Sequence, residues 1–438
     1  MLKIIIEIFD KLILGKKEFF LSSILSITAR AVGAFSGLLL TIVITRKYGE
    51  VDSGVFFLCL SIVTFLSMIG KVGLDDSVLK LSSVMFDKQQ YDSINGLIIA
   101  SYKIILFISI IILTLFYAVL PIIRQHFYHN ENISTVLEIL IFYSPFLSLL
   151  TIHSVFFQSM GKTIHAVLFM NVIVNSIFIF AVLTFEQRFW LLPYTLLACG
   201  GASLLLCWLI VYWQQKKLSI RRMDIKVLLA SSFPHWFVAI VNQVLLWGAG
   251  ILIGIWHSPD VVAHFFVSQR LTVISVFVLT AVNLVFAPQF AKLYSRKKIK
   301  ELAMLPRRCT LLSITFSLPI FTIFVIFPQK VMGIFGSDFQ SAWLTLTVLA
   351  IGQFVNAFTG PVNCLLAMAG YEKDLRNIAV GTMLMILTLS FIFIPTFGSI
   401  GGATATAISL IFSNIFAMLM VKVRLGFNTI TGSFSNIR

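Results

Sequence analysis

The chain has 438 residues, of which 58% are hydrophobic and 12% charged, and its mean hydropathy is +0.97. Soluble domains carry about 45 to 50% apolar residues, so a soluble enzyme or binding module is excluded and little besides membrane spans fits. The formal net charge of +15 would suggest nucleic acid in a soluble protein, but here the basic residues flank apolar runs, as the positive-inside rule requires.

Residues 1–20, MLKIIIEIFDKLILGKKEFF, place Ile4, Ile5, Ile8 and Leu12 on one helical face with charges elsewhere. They lack an uninterrupted apolar core and a small-residue cleavage site, so an uncleaved interfacial helix is expected. The first long run, 21–44, is LSSILSITARAVGAFSGLLLTIVI, long enough to cross a hydrocarbon core of about 30 Å. Arg30 sits near its middle, where it costs roughly 2.5 to 3.5 kcal/mol and cannot shed its proton. It therefore needs an anion, water or both.

Apolar runs then predict about twelve spans, at 21–44, 54–72, 97–120, 134–157, 163–184, 189–213, 231–256, 261–288, 308–327, 341–367, 377–397 and 400–421. Most lysines and arginines fall at the N-terminus, in the even-numbered connections and at the C-terminus. The odd-numbered connections hold only Arg46, Lys47, Arg124, Arg188 and Lys330. That asymmetry predicts two cytoplasmic termini. The fold class is an all-α integral membrane protein with two six-helix lobes, 21–213 and 228–424, joined by a basic cytoplasmic linker at 214–227 and followed by a cytoplasmic tail, 425–438. The linker and the basic stretch 292–308 are topology signals or anionic-lipid patches.

The halves read as repeats. Phe56 and Phe57 lie 209 positions before Phe265 and Phe266, and the same offset carries Gly161 onto Gly370. Pro121 and Pro328 differ by 207. Six spans per half is an even number, so the halves share one orientation and a substrate site is expected between them.

Arg270, in the eighth span, is the second intramembrane guanidinium. Arg30 and Arg270 are not equivalents under the offset. Either both face a central cavity and hold a phosphate or pyrophosphate, or they pair with Glu138 or with carbonyls at a helix break. Lys103 can snorkel. Glu138, His153 and His264 are candidates for coupling or for helix-to-helix hydrogen bonding. Amides inside spans, Asn171 and Asn175, Asn242 and Gln243, Asn283, Gln353, Asn356 and Asn363, line a sugar path or glue helices together. Gly33 with Gly37 and Gly250 with Gly254 are GxxxG pairs suited to close packing. Pro145, Pro234, Pro288 and Pro361 are candidate hinges. The five cysteines have no metal-ligand spacing, and neither a cofactor nor a metal is expected. No GxxxxGK[ST], HExxH or GxSxG motif occurs, and the outer connections are short, so no hydrolytic or ATP-driven centre is offered.

The stretch VMGIFGSDFQSAWLTLTVLAIGQFVNAFTGPVNCLLAMAGYEKDLRNIAVG, followed by PTFGSIGGATATAIS, resembles the C-terminal half of Wzx-type O-antigen flippases of the multidrug/oligosaccharidyl-lipid/polysaccharide (MOP) superfamily. ITRKYGEVDSGVFF and GLDDSVLK resemble that family's first outer turn and the segment after its second helix. The resemblance runs from about residue 20 to 424. It implies a MATE-like bundle with a V-shaped cleft in the bacterial inner membrane, moving undecaprenyl-pyrophosphate-linked oligosaccharide to the outer leaflet by alternating access. Arg30 and Arg270 would then line the cleft. It also implies membrane lipids, an O-antigen polymerase and a chain-length regulator as partners, with no nucleic acid. The alternatives are a MATE-like multidrug exporter, disfavoured because those relatives use buried acids, an O-antigen polymerase or ligase, disfavoured by the short outer connections, and a peptidoglycan-precursor flippase, whose relatives usually have extra helices.

Overall fold

The computed structural model describes residues 17–126, 131–184, 188–215, 223 and 225–433, with side chains in the first helix from Thr28 onward. Most of the expected interfacial helix at 1–20, most of the linker at 214–227 and the end of the tail lie outside the described residues. Every regular element among the described residues is helical.

Eight helices are long and apolar enough to cross a bilayer. They are Thr28–Lys71, Asp92–Ile122, Ile164–Thr184, Phe189–Ile210, His235–Trp256, Ile299–Ile326, Asp338–Thr359 and Glu372–Leu425. Two bent pairs, Asn132–Leu140 with Tyr143–Ser159 and Pro259–Ser275 with Phe277–Asn283, make ten. Thr28–Lys71 and Glu372–Leu425, 44 and 54 residues long, are each about twice the length a crossing needs. Each breaks in the middle at a glycine with positive φ, Gly49 (φ 76°) and Gly398 (φ 54°), and so crosses twice. The helices therefore supply the twelve expected spans, one for one and in order, and the spans are numbered 1 to 12 below.

The differences from expectation lie at the joints. Residues 45–53 are helical on both sides of Gly49, so spans 1 and 2 meet without a loop. The tenth expected span stops at Thr359, and a short helix, Val362–Met368, follows Gly360 and Pro361. Span 4 bends by 41° just ahead of Pro145, and span 8 bends by 48° near residue 276, well before Pro288. Pro288 is thus not the cause of that bend, and Pro234 lies inside the continuous helix Ile225–Trp256.

Many hydroxyls inside the spans return their hydrogen bonds to their own helix, as Thr41 does to the Gly37 carbonyl (2.9 Å), Ser101 to Leu97 (2.9 Å) and Thr151 to Leu147 (2.7 Å), while others bridge helices, as Ser317 does to the Ser275 carbonyl (2.6 Å). A helix with such bonds carries no unsatisfied donor into an apolar surround.

The repeat is visible in the turns. Span 4 ends with the Gly161 N–H on Gln158 O and the Lys162 N–H on Phe157 O; at the 209 offset, the Gly370 N–H meets Ala367 O and the Tyr371 N–H meets Leu366 O. Gly161 and Gly370 have φ of 74° and 81°, the left-handed residue that closes such a helix end. A second pair, Gln89 and Lys297, both with φ of 55°, closes the helices after spans 2 and 8 with matching bonds.

Span 8 lies along spans 1 and 2, joining the halves. Phe56 and Phe265, equivalent under the offset, are both fully buried in one apolar cluster drawn from both halves. At the end holding Gly49, Glu50 accepts a 2.9 Å bond from His264 Nε2 and Arg46 Nε donates to the Ile334 carbonyl at 2.7 Å. Spans 2 and 8 meet there so closely that a Cβ on Gly54 would fall 1.8 Å from the Pro259 carbonyl oxygen. At the opposite end, Arg424 makes two bonds to Asp374 (2.8 and 3.1 Å).

Candidate functional site

A cavity of about 690 Å³ lies between spans 1, 4, 5, 8 and 9. Its wall carries Arg30 from span 1 and Arg270 from span 8, so the two guanidiniums that the sequence places in different halves reach one space. Among the described residues no aspartate, glutamate or lysine lines it.

The arrangement follows from small residues on span 1. Gly37 leaves the room in which the Arg270 side chain lies, since a Cβ there would come within 2.7 Å of its Nη2. Gly33 lets Val167 and Asn171 of span 5 approach, since a Cβ there would lie 3.3 Å from Val167 Cγ1 and 3.4 Å from Asn171 Cβ. The Gly33 and Gly37 pair thus serves contacts inside the molecule. Seven residues, close to two turns, set Gly37 about 10 Å along the same face from Arg30. The two cationic groups are therefore spaced along the cavity instead of stacked at one point. Arg30 Nε is buried and has no hydrogen-bond partner among the described residues. Arg270 is exposed to the cavity and makes no ion pair or hydrogen bond among them. A guanidinium at membrane depth without a carboxylate is costly unless water or an anion accompanies it.

The opposing wall is polar but uncharged. Gln158 and Ser154 of span 4 line it with Asn171 and Asn175 of span 5. Span 5 changes its winding here, with a π-helical segment, Leu168–Ile173, inside the α-helix. Such wide turns are frequent at functional sites. Asn175 Nδ2 donates to Ser36 Oγ at 3.2 Å, and Ser36 in turn donates to Gly33 O at 2.8 Å.

A smaller space of about 130 Å³ continues from Arg270 toward the Gly49 end, lined by Thr41, Ile44, Phe56, Phe57, Trp247 and Phe266 among others. It is apolar and aromatic, with Gln269 as its amide. Beyond it lies the Glu50–His264 contact. The cavity reaches Gln158 in the last turn of span 4 at one end, and toward the other end spans 2 and 8 are in contact at Gly54 and Pro259.

The remaining sequence candidates stand elsewhere; none of them lines the main cavity. Glu138 is held by Arg124, whose Nε lies 3.1 Å from Oε1, so it is the partner of neither cavity arginine. His153 is buried and bonded to the Tyr102 hydroxyl, a helix-to-helix contact. His264 belongs to the Gly49 end. Lys103, Asn242 and Asn363 are exposed outside the cavity, while Gln243 Oε1 and Asn283 Oδ1 are buried without partners among the described residues. Gln158 is a lining residue that the sequence reading passed over. Its signal was there in the repeat, because the 209 offset maps it onto Ala367, leaving an amide in one half only.

A family model described as "Polysaccharide biosynthesis protein" matches residues 21–294. The chain belongs to that family. Over 167 residues it is 29% identical to the probable low-salt glycan biosynthesis flippase Agl15 of Haloferax volcanii, a stretch covering 37% of this chain and 35% of that protein. Among solved structures, an inward-facing multidrug resistance MATE family transporter of the MOP superfamily matches with a TM-score of 0.74 at 14% identity, covering 92% of this chain and 98% of that one. Lipid II flippase MurJ, in an inward closed conformation, matches with 0.72 at 16% identity over 92% of this chain and 87% of that one. At such identities the likeness shows the fold. This family member is a multi-pass membrane protein, helical throughout its described residues, with the fold of those transporters.

Proposed function

We propose that the protein is a flippase that carries undecaprenyl-pyrophosphate-linked oligosaccharide, an O-antigen-type repeat unit, from the cytoplasmic to the periplasmic leaflet of the bacterial inner membrane. The observation that carries this reading is the acid-free cavity into which Arg30 and Arg270 project from opposite halves. A pyrophosphate offers several anionic oxygens to two spaced guanidiniums, and each fork can bond it bidentately. Family membership and the name of the Haloferax volcanii relative point to a glycan. The basic residues support cytoplasmic termini, which makes the Gly161 end cytoplasmic and the Gly49 end periplasmic.

The mechanism is alternating access without chemistry on the substrate. On this reading the Gly49 end, held by the Glu50–His264 bond and the contact of spans 2 and 8, is the closed periplasmic end, and the cavity is offered to the cytoplasmic side. Binding an anion between the halves relieves the desolvation of both arginines, and only a ligand bound differently by the two states can shift their balance. Reopening at the Gly49 end would pass the glycan through the aromatic space above Arg270. A polymerase and a chain-length regulator are the proteins expected to take up the product. An exporter of organic cations is opposed by the absence of any acid along this wall among the described residues.

Charge reversal tests the reading in a deletion strain complemented with each variant at equal membrane levels. Arg30→Glu and Arg270→Glu are expected to abolish surface glycan, with Arg30→Lys retaining part of it. Wild-type surface glycan from either Glu variant would overturn it.

A further inference from the structure

We infer that the amide wall of spans 4 and 5 is a sugar subsite, which holds the sugar attached to the pyrophosphate while the arginines hold the pyrophosphate. This rests on the function proposed above and adds what that function leaves open, namely where the glycan is read.

Gln158 and Asn171 line the cavity, and among the described residues neither side-chain amide has a hydrogen-bond partner. Asn175 commits its Nδ2 to Ser36 Oγ at 3.2 Å, which fixes the amide and leaves its carbonyl oxygen as an acceptor. Inside a membrane span an amide without a partner is expensive unless it faces water or a ligand. The wall thus presents donors and acceptors together and no charge. That combination suits a polyhydroxylated, neutral surface, since each sugar hydroxyl both donates and accepts. It does not suit a second anion, which would need donors only, or a cation, which would need acceptors only.

Position adds to chemistry. Asn171 stands beside Gly33, a Cβ at which would lie 3.4 Å from the Asn171 Cβ, and Gly33 is one turn from Arg30 on span 1. The amides therefore begin within one side chain's reach of the cationic face, which is where a sugar bonded to a bound pyrophosphate must lie. The amides belong to the first half and Arg270 to the second, so a ligand with an anionic part and a hydroxylated part touches both halves at once. The 209 offset leaves no amide at the position equivalent to Gln158, so the sugar wall exists on one side only and orients the ligand.

The test uses the full chain in lipid nanodiscs and two probes, undecaprenyl pyrophosphate and undecaprenyl-pyrophosphoryl-N-acetylglucosamine, with Kd measured for each. Wild type is expected to bind the sugar-bearing probe roughly tenfold more tightly, the yield of two hydrogen bonds of about 0.7 kcal/mol each. The Gln158→Ala/Asn171→Ala double variant is expected to lose that tenfold preference and to keep its Kd for the bare pyrophosphate within about twofold. Arg270→Ala is expected to weaken both probes together. Equal binding of the two probes by wild type, or a double variant that binds the bare probe as wild type does and still keeps the preference, overturns the sugar subsite and leaves the flippase standing. Failure of wild type to bind either probe overturns the flippase reading itself. Because the bare probe reports a folded cavity, a misfolded double variant is recognised by losing it, and Gln158→Leu/Asn171→Leu, which keeps bulk and removes the amides, then decides by the same criterion.

Discussion

Gly37 is where the account is most exposed at the level of one residue, because its missing side chain is what the Arg270 guanidinium occupies. A Leu at this position is tolerated by the helix but pushes the guanidinium off span 1. Gly37→Leu is therefore expected to lower glycan transport at least about tenfold while shifting thermal unfolding little, since helix propensity favours Leu over Gly by roughly 0.8 kcal/mol. A variant that transports normally would show that Arg270 does not work from this seat. The arginines themselves were legible in the sequence, because a guanidinium in a run of Leu, Ile and Val has no cheap explanation. The amides were not separable. Asn171, Asn242, Asn283 and Asn363 look alike along the chain, and only the packing of spans 1, 4, 5, 8 and 9 exposes the first to the cavity and sends the others elsewhere. Glu138 and His153 illustrate the same limit. Each had a partner, Arg124 and Tyr102, that lies on a neighbouring helix and that no spacing rule brings alongside.

In the proposed cycle, gating belongs to the elements. The twelve crossings were readable from length and hydropathy alone, because about 20 apolar residues have one physical use. Their joints were less so, since a run of helix-compatible residues such as ITRKYGEVDSG breaks only where the backbone at Gly49 turns to φ 76°. Gly49→Val puts a β-branched side chain in a left-handed conformation and is expected to cost about 1 to 3 kcal/mol, read as a lowered unfolding midpoint. No loss would mean that the two spans do not meet at this break. The Glu50–His264 pair, between the start of span 2 and span 8, should part whenever the Gly49 end opens. In a chain whose five native cysteines are replaced, oxidising an E50C/H264C pair is expected to stop transport and reduction to restore it. Undiminished transport by the oxidised protein would remove this end from the gating cycle. In the uncrosslinked protein, Glu50→Gln is expected to raise labelling of a cysteine introduced at Thr41, which lines the apolar space beneath the pair, by membrane-impermeant maleimide added from outside. Unchanged labelling would mean that the pair holds nothing closed.

Across the whole molecule, the repeat, the shared cavity and the one-sided sugar wall describe two similar halves made unequal for one task. The matched turns at Gly161 and Gly370, and at Gln89 and Lys297, show that both halves are built alike. Arg30, Arg270 and the amides are placed unequally on that frame, and it is on them that the proposed function rests. Topology follows the basic residues, so reporter fusions at positions 161 and 370 are expected to read cytoplasmic, and those at 49 and 398 periplasmic; the reverse pattern would invert the direction of transport. The central claim is that a complete lipid-linked glycan crosses the membrane through this cavity. Depleting the protein and probing spheroplasts, sealed or opened, with a lectin or antibody against the glycan tests it most directly. The account predicts that complete lipid-linked units accumulate where only opened spheroplasts expose them, on the cytoplasmic leaflet. Single units detected on sealed spheroplasts, already across and merely unpolymerised, would contradict it.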